Sequence, residues 1–166
     1  MFDFPSFVFF GTDEFAIAVL DTLALAGRRP ELIITVPDKP QGKYLQLAPP
    51  PAKVWAEKNK VVYIQPDSFK TIPYKLQANS YKLFLVASYG KLIPPSIFNL
   101  PKYGTVNIHP SLLPTYRGPT PVQTAILEGA EKTGVTLMLL DAELDHGPIL
   151  KAQSVKLKTQ NFIEFR

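Results

Sequence analysis

The fold class follows from one stretch near the start of the chain, Phe7-Val8-Phe9-Phe10-Gly11-Thr12-Asp13-Glu14-Phe15. An apolar run that is stopped by a glycine is typical of a buried strand followed by a turn. Apolar residues then recur at helical spacing from Phe15 to Ala26, with Thr12 in the position of an N-cap and Gly27 as a stop. The stretch therefore predicts a strand, a turn and a helix in that order.

Strands and helices alternate along the rest of the chain. Apolar runs predict strands at 31–36, 61–64, 82–87, 105–108, 136–140 and 149–156, helices around 54–57, 68–79 and 95–99, and a loop rich in Pro and Gly over 37–51. Parallel strands that are covered by helices on both faces are apolar along their length. We therefore predict a doubly wound α/β domain with a mostly parallel sheet and with the later strands at its edge.

The composition is that of one globular domain. The chain has 166 residues, of which 46% are hydrophobic and 19% are charged, and its formal net charge of +4 arises from scattered basic residues. It has no cysteine, which excludes disulfide frameworks, thiolate zinc sites and a thiol nucleophile. The apolar opening at 1–10 contains Asp3 and Pro5, has no basic leader and is too short to span a bilayer. We predict a cytoplasmic protein that does not enter a membrane.

The turn after the first strand does not fit a dinucleotide. The sequence Gly11-Thr12-Asp13-Glu14-Phe15-Ala16 lacks the glycine pattern that lets a pyrophosphate approach the backbone. Asp13 and Glu14 would also repel a phosphate from the N-terminus of the helix. We therefore expect no dinucleotide cofactor, and the sequence contains no G-x-x-x-x-G-K-[ST] phosphate loop.

Polar side chains that could carry chemistry concentrate in two segments. Asn107 and His109 lie two positions apart at the end of a predicted strand, so their side chains face the same way. The loop between the last two strands, 140–148, contains Asp145 among further acids. An amide, an imidazole and a carboxylate suit acyl transfer to an amine. The first two stabilise an oxyanion, and the third moves protons and orients the imidazole.

Other interpretations of these residues stay open at this point. A single histidine at a strand end is often an ordinary hydrogen-bonded polar residue, and an aspartate close to a glycine is often a turn former. A metal site built from His109, Asp145 and His146 is disfavoured, because adjacent side chains on an extended backbone diverge. We expect no metal in the protein.

Two segments together resemble the formyltransferases that use 10-formyltetrahydrofolate. They are Asn107-Ile108-His109-Pro110-Ser111-Leu112-Leu113-Pro114 with Arg117-Gly118, and Leu144-Asp145-His146-Gly147. The resemblance extends from the first strand to about Ser154. It implies a Rossmann-like formyltransferase domain with a folate as the formyl donor.

Within that family the chain is similar to the branch that acts on methionyl-tRNA. The similarity lies in Phe10-Gly11-Thr12 with Phe15-Ala16, in Pro37-Asp38-Lys39-Pro40 with Gly42, and in Pro51-Ala52-Lys53-Val54. The phosphoribosylglycinamide branch carries a phosphate loop rich in glycine and serine where this chain has Asp13 and Glu14. The resemblance therefore implies that initiator methionyl-tRNA is the acceptor.

The resemblance also implies roles for individual residues. Asn107 and protonated His109 would hold the tetrahedral oxyanion, and Asp145 would keep His109 charged and relay a proton from the amine to the leaving nitrogen. Segments that follow strands would bind the folate through backbone hydrogen bonds and apolar walls, although ordinary core packing is the alternative for Leu92. The implied folate-binding residues are Ser88, Tyr89, Gly90, Lys91, Leu92, Ile93, Ser111, Leu112, Leu113, Pro114, Leu140, Asp141 and Leu144.

The predicted loop at 37–50 corresponds to the family's insertion that touches the acceptor arm of the tRNA. The implied tRNA contacts are Lys39, Lys43, Tyr44 and Arg117. Tyr44, Leu45 and Gln46 stand where the family pattern has glycine and further lysines. This difference weakens contact with phosphates, but Tyr44 could stack on an unpaired base. We expect the protein to be a monomer.

The sequence departs from the family's pattern at its C-terminal end. Relatives continue through another helix and strand into a separate β-barrel domain, whereas this sequence ends at Arg166. We therefore expect a single formyltransferase catalytic domain over 1–166 that is incomplete at its end. Three alternatives remain: formyl transfer to a sugar-nucleotide amine, hydrolysis of formyltetrahydrofolate to formate, and folate binding without turnover.

Overall fold

The fold is given by a computed structural model, which describes residues 4–42, 45–72, 76 and 81–157. Its strands are β1 (Phe7–Gly11), β2 (Leu32–Ile34), β3 (Lys39–Gln41), β4 (Gln46–Ala48), β5 (Val62–Ile64), β6 (Leu83–Ala87), β7 (Thr105–His109), β8 (Lys132–Leu139) and β9 (Ile149–Lys156). Its α-helices are α1 (Glu14–Leu25), α2 (Pro51–Asn59), α3 (Pro95–Phe98) and α4 (Pro121–Leu127), and a short 3₁₀ helix spans Phe69–Thr71. Among the described residues, no helix is long and apolar enough to cross a membrane.

The chain divides into two compact units, Met1–Val106 and Asn107–Arg166, and the boundary falls inside β7. In the first unit, four strands form a parallel sheet in the order β5-β2-β1-β6. From β1 the chain moves through α1 to β2 and through α2 to β5, and it then returns to the opposite side of β1 as β6. Open α/β sheets bind ligands where the winding reverses in this way, beyond the carboxyl ends of the strands. The predicted doubly wound, mostly parallel α/β fold is confirmed.

The centre of the first unit is β1, which is buried along its whole length. Phe9 and Phe10 are fully buried and point to opposite faces of the sheet, so both faces are covered at this strand. The ring of Phe10 packs against Phe84 and Tyr89 at centroid distances of 5.4 and 5.5 Å. Burying one phenylalanine side chain contributes about 2 to 3 kcal/mol. This packing explains why the whole apolar run at Phe7–Phe10 decides the fold.

The predicted N-cap of α1 is wrong by one residue. Asp13 is the N-cap, and its Oδ1 accepts hydrogen bonds from the backbone N–H groups of Phe15 (3.1 Å) and Ala16 (3.3 Å). The hydroxyl of Thr12 instead donates to the backbone oxygen of Tyr89 at 2.6 Å. Both residue types cap helices well. The parallel pairing of β1 with β6 decides between them, because it brings Thr12 next to the end of β6.

In the second unit, β8 pairs with β9 as an antiparallel hairpin from Lys132 opposite Lys156 to Met138 opposite Ile149. The strand β8 begins four residues before the predicted 136, and helix α4 was not predicted at all. Gly134 allows the hairpin to close, because an added Cβ would overlap the backbone oxygen of Gln153. This glycine interrupts the apolar pattern, which hid the first half of the strand.

Two predicted segments of the first unit also differ from the structure. The predicted loop at 37–51 contains the short antiparallel hairpin of β3 and β4, with Lys39 opposite Ala48. Pro40 obscured this hairpin, because proline cannot donate a ladder hydrogen bond. Of the helix predicted at 68–79, the 3₁₀ helix at Phe69–Thr71 is present. Residues 73–75 and 77–80 lie outside the described part of the chain.

Candidate active site

The three residues of the predicted trio meet in the second unit. Asn107 and His109 extend from the same face of β7, and Asp145 lies in the loop between β8 and β9. Asp145 Oδ1 accepts a hydrogen bond from Asn107 Nδ2 at 3.3 Å and lies 3.7 Å from His109 Nδ1. The side chains of His109 and Asp145 are 7% and 9% exposed. One carboxylate oxygen therefore accepts a hydrogen bond from the amide and lies within ion-pair distance of the imidazole, and both His109 and Asp145 are largely buried.

Backbone groups fix both Asp145 and His109 in place. The N–H of Gly118 donates to Asp145 Oδ2 at 2.9 Å. His109 Nε2 lies 2.9 Å from the backbone oxygen of Tyr116. Since a carbonyl oxygen only accepts, Nε2 must carry a hydrogen, and Nδ1 is left facing Asp145.

The backbone around this cluster adopts a conformation that side chains disfavour. Asp145 has a φ of 48° and Tyr116 a φ of 59°, both in the left-handed region. This region costs a residue other than glycine about 1 to 2 kcal/mol, although aspartate tolerates it better than most. Residues held in such conformations cluster at functional sites. The strained residues are Asp145 itself and Tyr116, whose backbone oxygen orients His109.

The cluster contains the groups that acyl transfer to an amine requires. The amide of Asn107 has a second N–H, which can donate to a developing oxyanion. His109 Nδ1 is 3.7 Å from the carboxylate, beyond hydrogen-bond distance, so it can also serve a ligand. The carboxylate of Asp145 can accept a proton. The catalytic roles of these three residues stay a prediction.

His146, the third member of the alternative metal site, contacts Asp141 instead. Its Nδ1 lies 2.9 Å from Asp141 Oδ2, while Asp141 Oδ1 accepts from the N–H of Glu143 at 2.9 Å. In the described part of the chain, no group of three or more His, Asp and Glu residues is arranged to hold a metal ion. Asp141 therefore ties the loop on both sides of Asp145.

We expect Asp141→Asn to lower the pKa of His146. The hydrogen bond from His146 to the Asp141 carboxylate raises the pKa of the imidazole above its ordinary 6.5, with Glu143 adding to the effect. A raised histidine pKa means that the stabilisation is fully present below 6.5 and is lost as the pH rises through the raised value. An NMR titration of the His146 ring measures the pKa. Asp67→Asn, at an exposed site, is the control, and an unchanged pKa in Asp141→Asn would contradict the pairing.

The predicted folate segment after β6 lies in the first unit, where its residues differ widely in exposure. Ser88 has a φ of 46°, and its hydroxyl donates to the carboxylate of Asp13. Tyr89 is buried, and this burial raises the pKa of its hydroxyl to about 12. Ile93 is buried, whereas Leu92 is 85% exposed. Core packing is therefore wrong for Leu92, while its contact with folate stays a prediction.

The other predicted folate residues lie in the second unit. The hydroxyl of Ser111 donates to the backbone oxygen of Thr115 at 2.6 Å, and the N–H of Leu113 donates to Thr136 Oγ1 at 3.1 Å. These bonds hold the turn after β7. Leu144 is 62% exposed at the loop that carries Asp145. The remaining members of this predicted set are Leu112, Pro114, Leu140 and Asp141.

The predicted tRNA contacts are only partly described. Lys39 is exposed on β3, and Arg117 is exposed beside Gly118. Lys43 and Tyr44 lie outside the described residues. Leu45 and Leu47, beside and within β4, are 71% and 72% exposed. The hairpin of β3 and β4 therefore presents apolar side chains as well as Lys39.

Sequence reasoning missed the backbone partners of the site, Tyr116 and Gly118. Their contributions come from a main-chain oxygen and a main-chain N–H, which every residue type offers. The sequence pattern Tyr116-Arg117-Gly118 marks the segment but not these roles. Glycine after two bulky residues is a turn signal, and Gly118 has a φ of 107°.

Known proteins are similar to this chain in sequence or in fold. Residues 6–164 match the family model described as formyl transferase. The chain belongs to the formyltransferase family. It is 43% identical over 150 residues to the methionyl-tRNA formyltransferase of Chloroflexus aurantiacus, covering 89% of this chain and 48% of that protein. It is 42% identical over 152 residues to the methionyl-tRNA formyltransferase of Thermotoga maritima, and the match covers 90% of this chain and 49% of that protein. The formyltransferase chain thus spans about half the length of the curated relatives it matches.

Solved structures of a formyltransferase and of a deformylase have the same fold. The phosphoribosylglycinamide formyltransferase of Streptococcus pneumoniae superposes with a TM-score of 0.73 over 95% of this chain and 86% of that chain, at 17% identity. The formyltetrahydrofolate deformylase of Pseudomonas syringae gives a TM-score of 0.69 over 94% of this chain and 52% of that chain, at 20% identity. At these identities the likeness shows the fold alone.

Proposed function

We propose that this chain carries the catalytic site for transfer of a formyl group from 10-formyltetrahydrofolate to the amino group of initiator methionyl-tRNA. The observation that carries the proposal is the contact of Asn107 and His109 with one oxygen of Asp145. Family membership and relatives named methionyl-tRNA formyltransferase support the reaction and the acceptor. The protein would act in the cytoplasm, in translation initiation.

The proposed reaction needs no covalent intermediate with the protein. The amine nitrogen forms a bond to the formyl carbon, and the bond from that carbon to the folate nitrogen breaks. The amine loses one proton, and the leaving nitrogen gains one. An α-amino group has a pKa of about 8, so a useful fraction is neutral and nucleophilic near pH 7. The acceptor itself is therefore the nucleophile.

Each side chain of the trio has a distinct part in this reaction. The second N–H of Asn107 and the Nδ1–H of His109 in its protonated form donate to the oxyanion that develops on the formyl oxygen. The hydrogen bond to Tyr116 keeps the ring from turning away as this happens. Asp145 takes the proton from the amine and delivers it toward the leaving nitrogen. The N–H of Gly118 holds the carboxylate in register for both steps.

The folate donor requires a polar edge for its pterin and apolar walls for its rings. Leu144 is a large apolar side chain that is 62% exposed in the loop that carries Asp145, which suits a residue that covers a ligand. Backbone groups of the same loop, in 140–144, would bind the pterin of the donor, which supplies the activated formyl carbon.

The geometry at the start of α1 favours an acceptor without a phosphate at that position. Asp13 occupies the helix N-terminus, where its Oδ1 takes the N–H groups of Phe15 and Ala16. Its other carboxylate oxygen accepts from Ser88. A phosphate at this place would find these N–H groups already bonded to Asp13 and would be repelled by its negative charge. The phosphoribosylglycinamide branch carries a phosphate loop at this segment, so its replacement by Asp13 and Glu14 favours methionyl-tRNA over a phosphoribosyl amine as the acceptor.

The remaining alternatives predict different products. A sugar-nucleotide amine formyltransferase would form a formamido sugar, and a deformylase would release formate from the same donor. A folate-binding remnant would bind the donor without turnover. We therefore expect formyl-methionyl-tRNA as the product when the protein is given 10-formyltetrahydrofolate with initiator methionyl-tRNA. Formate alone, formylation of an amino sugar alone, or binding without any product would each reject the proposal.

Replacing Asn107 with alanine should lower kcat for formyl transfer by about 10²- to 10³-fold, since removing one oxyanion donor has an effect of this size. The KM for either substrate should change much less, because the lost hydrogen bond forms only as charge develops. Steady-state kinetics of the two variants measures both quantities. Asn99→Ala, at an exposed amide outside the site, is the matched control. Equal rates for the two variants would remove Asn107 from the mechanism.

A further inference from the structure

A cavity of about 460 Å³ lies in the first unit at the amino ends of the strands. Its lining includes Phe4, Arg28, Arg29, Glu31, Lys82 and Tyr103. These residues precede β1, β2, β6 and β7 or follow the end of α1. In the first unit, this edge of the sheet is opposite the carboxyl ends of β1 and β6. The cavity is therefore separate from the winding reversal described above.

Backbone hydrogen bonds fix the walls of this cavity. The N–H of Lys82 donates to the oxygen of Ser6 at 3.2 Å, and the N–H of Tyr103 donates to the oxygen of Lys82 at 2.8 Å. The N–H of Glu31 donates to the oxygen of Phe7 at 3.0 Å. The segments that surround the cavity are thus tied to the sheet, so the space is formed before any ligand arrives.

The charges that line the cavity are mostly positive, and its cations form no ion pair with another described residue. Arg28, Arg29 and Lys82 face a single acid, Glu31. In the described residues, the ion pairs within 4.0 Å involve other side chains, and none includes these three cations. The guanidinium of Arg28 lies 5.4 Å from the ring centroid of Phe4, which orients it without neutralising its charge. Two guanidiniums and one ammonium therefore remain for an anion.

We propose that this cavity binds a phosphate-bearing ligand of nucleotide size. Guanidinium groups match phosphate oxygens with paired hydrogen bonds, and a lysine adds a point charge. The rings of Phe4 and Tyr103 are 37% and 52% exposed. Each already meets one cation, Arg28 for Phe4 and Lys102 for Tyr103, so the rest of the exposed ring surface is available to a planar base. The cavity volume falls within the range of ligand pockets. Three cations against one acid suit a ligand with about two negative charges.

This site stands independently of formyl transfer, because none of its residues belongs to the proposed catalytic trio or folate segments. A ligand there would be recognised by its phosphate and its ring together. The phosphate supplies charge, and the ring supplies the contact with Phe4 or Tyr103. Adenosine 5′-monophosphate carries both parts, inorganic pyrophosphate has only the charge, and adenosine has only the ring.

Isothermal titration calorimetry of the whole chain with these three probes at low salt tests the proposal. Adenosine 5′-monophosphate should bind with a Kd of about 1 mM or tighter, pyrophosphate more weakly, and adenosine not measurably. Lys82→Ala and Arg29→Ala should each weaken binding of the monophosphate about tenfold or more, because each removes a charged hydrogen-bond donor. Glu31→Gln should strengthen it severalfold, since it removes the acid.

Lys151→Ala is the matched control, because it removes one exposed positive charge from β9. It should bind the monophosphate as the unaltered chain does. The proposal is overturned if the unaltered chain binds none of the phosphate probes, or if adenosine binds as well as its monophosphate. It is also overturned if Lys151→Ala weakens binding as much as Lys82→Ala, since the effect would then reflect net charge and not the cavity.

Discussion

Asp145→Asn is expected to lower kcat for formyl transfer by at least about 10³-fold, the upper part of the range for loss of a general acid or base. Asparagine keeps the shape of the side chain, and its oxygen can still accept the hydrogen bond from Gly118, at the cost of the hydrogen bond from Asn107. It cannot take a proton from the amine, and it carries no negative charge beside His109. The chemical step should therefore fail while substrate binding changes little.

The same variant should fold almost as well as the unaltered chain. Asparagine tolerates the left-handed φ of 48° at residue 145 as readily as aspartate does. The free energy of unfolding should change by less than about 1.5 kcal/mol, the size of one hydrogen bond. Urea denaturation and single-turnover kinetics measure the two quantities. Asp67→Asn makes the same charge change at an exposed site and should keep full activity. A variant at 145 that retained even a tenth of the rate would remove this carboxylate from the mechanism.

Gly147→Ala is expected to reduce kcat/KM for formyl transfer by at least about 100-fold, although residue 147 touches no reacting group. An added Cβ would overlap the backbone oxygen of Leu139, and no flexible side chain is there to yield. The N–H of Leu139 donates to the oxygen of Pro148 at 2.9 Å, so this contact is also where the loop closes. The loop must shift to admit the methyl group, and Asp145 shifts with it. A displacement of about 1 Å at a catalytic group is enough for a loss of this size.

Gly129→Ala is the matched control for this substitution. Gly129 has a φ of 66°, and an added Cβ would meet nothing within 4 Å. Its replacement should lower the free energy of unfolding by about 1 to 2 kcal/mol through backbone strain while activity is unchanged. Kinetics and thermal unfolding of both variants separate loss of stability from loss of geometry. If the two variants lost activity in proportion to stability, the loop would not position Asp145.

The strands at the centre of the sheet could be predicted because their signal is local. Phe7–Phe10 and the run at 82–87 are apolar at every position, and only a strand buried on both faces needs that pattern. A helix was predicted around 54–57, which lies inside α2. Prediction failed for α4 and for the first half of β8, where Gly134 and short apolar spacing give no periodic signal. It also failed for the hairpin of β3 and β4, because Pro40 is not typical of a strand.

The side chains of the candidate site could be predicted because few residue types can do the chemistry. An amide and an imidazole two positions apart on a strand must share a face, which follows from strand geometry alone. The sequence could not show that Asp145, 38 positions from Asn107, returns to the same place. Asp145 lies in the loop that connects β8 and β9, so its position depends on how these two strands pair, and this pairing is long-range.

The sequence by itself determined the fold class and the family, and it predicted the trio of Asn107, His109 and Asp145. These depend on residue type and on spacing within single elements. Only the tertiary structure decided that one oxygen of Asp145 serves both Asn107 and His109, and that Tyr116 and Gly118 hold them through backbone atoms. Backbone groups are the same in every residue, so their partners are set by how the chain folds and leave no mark in the amino-acid order.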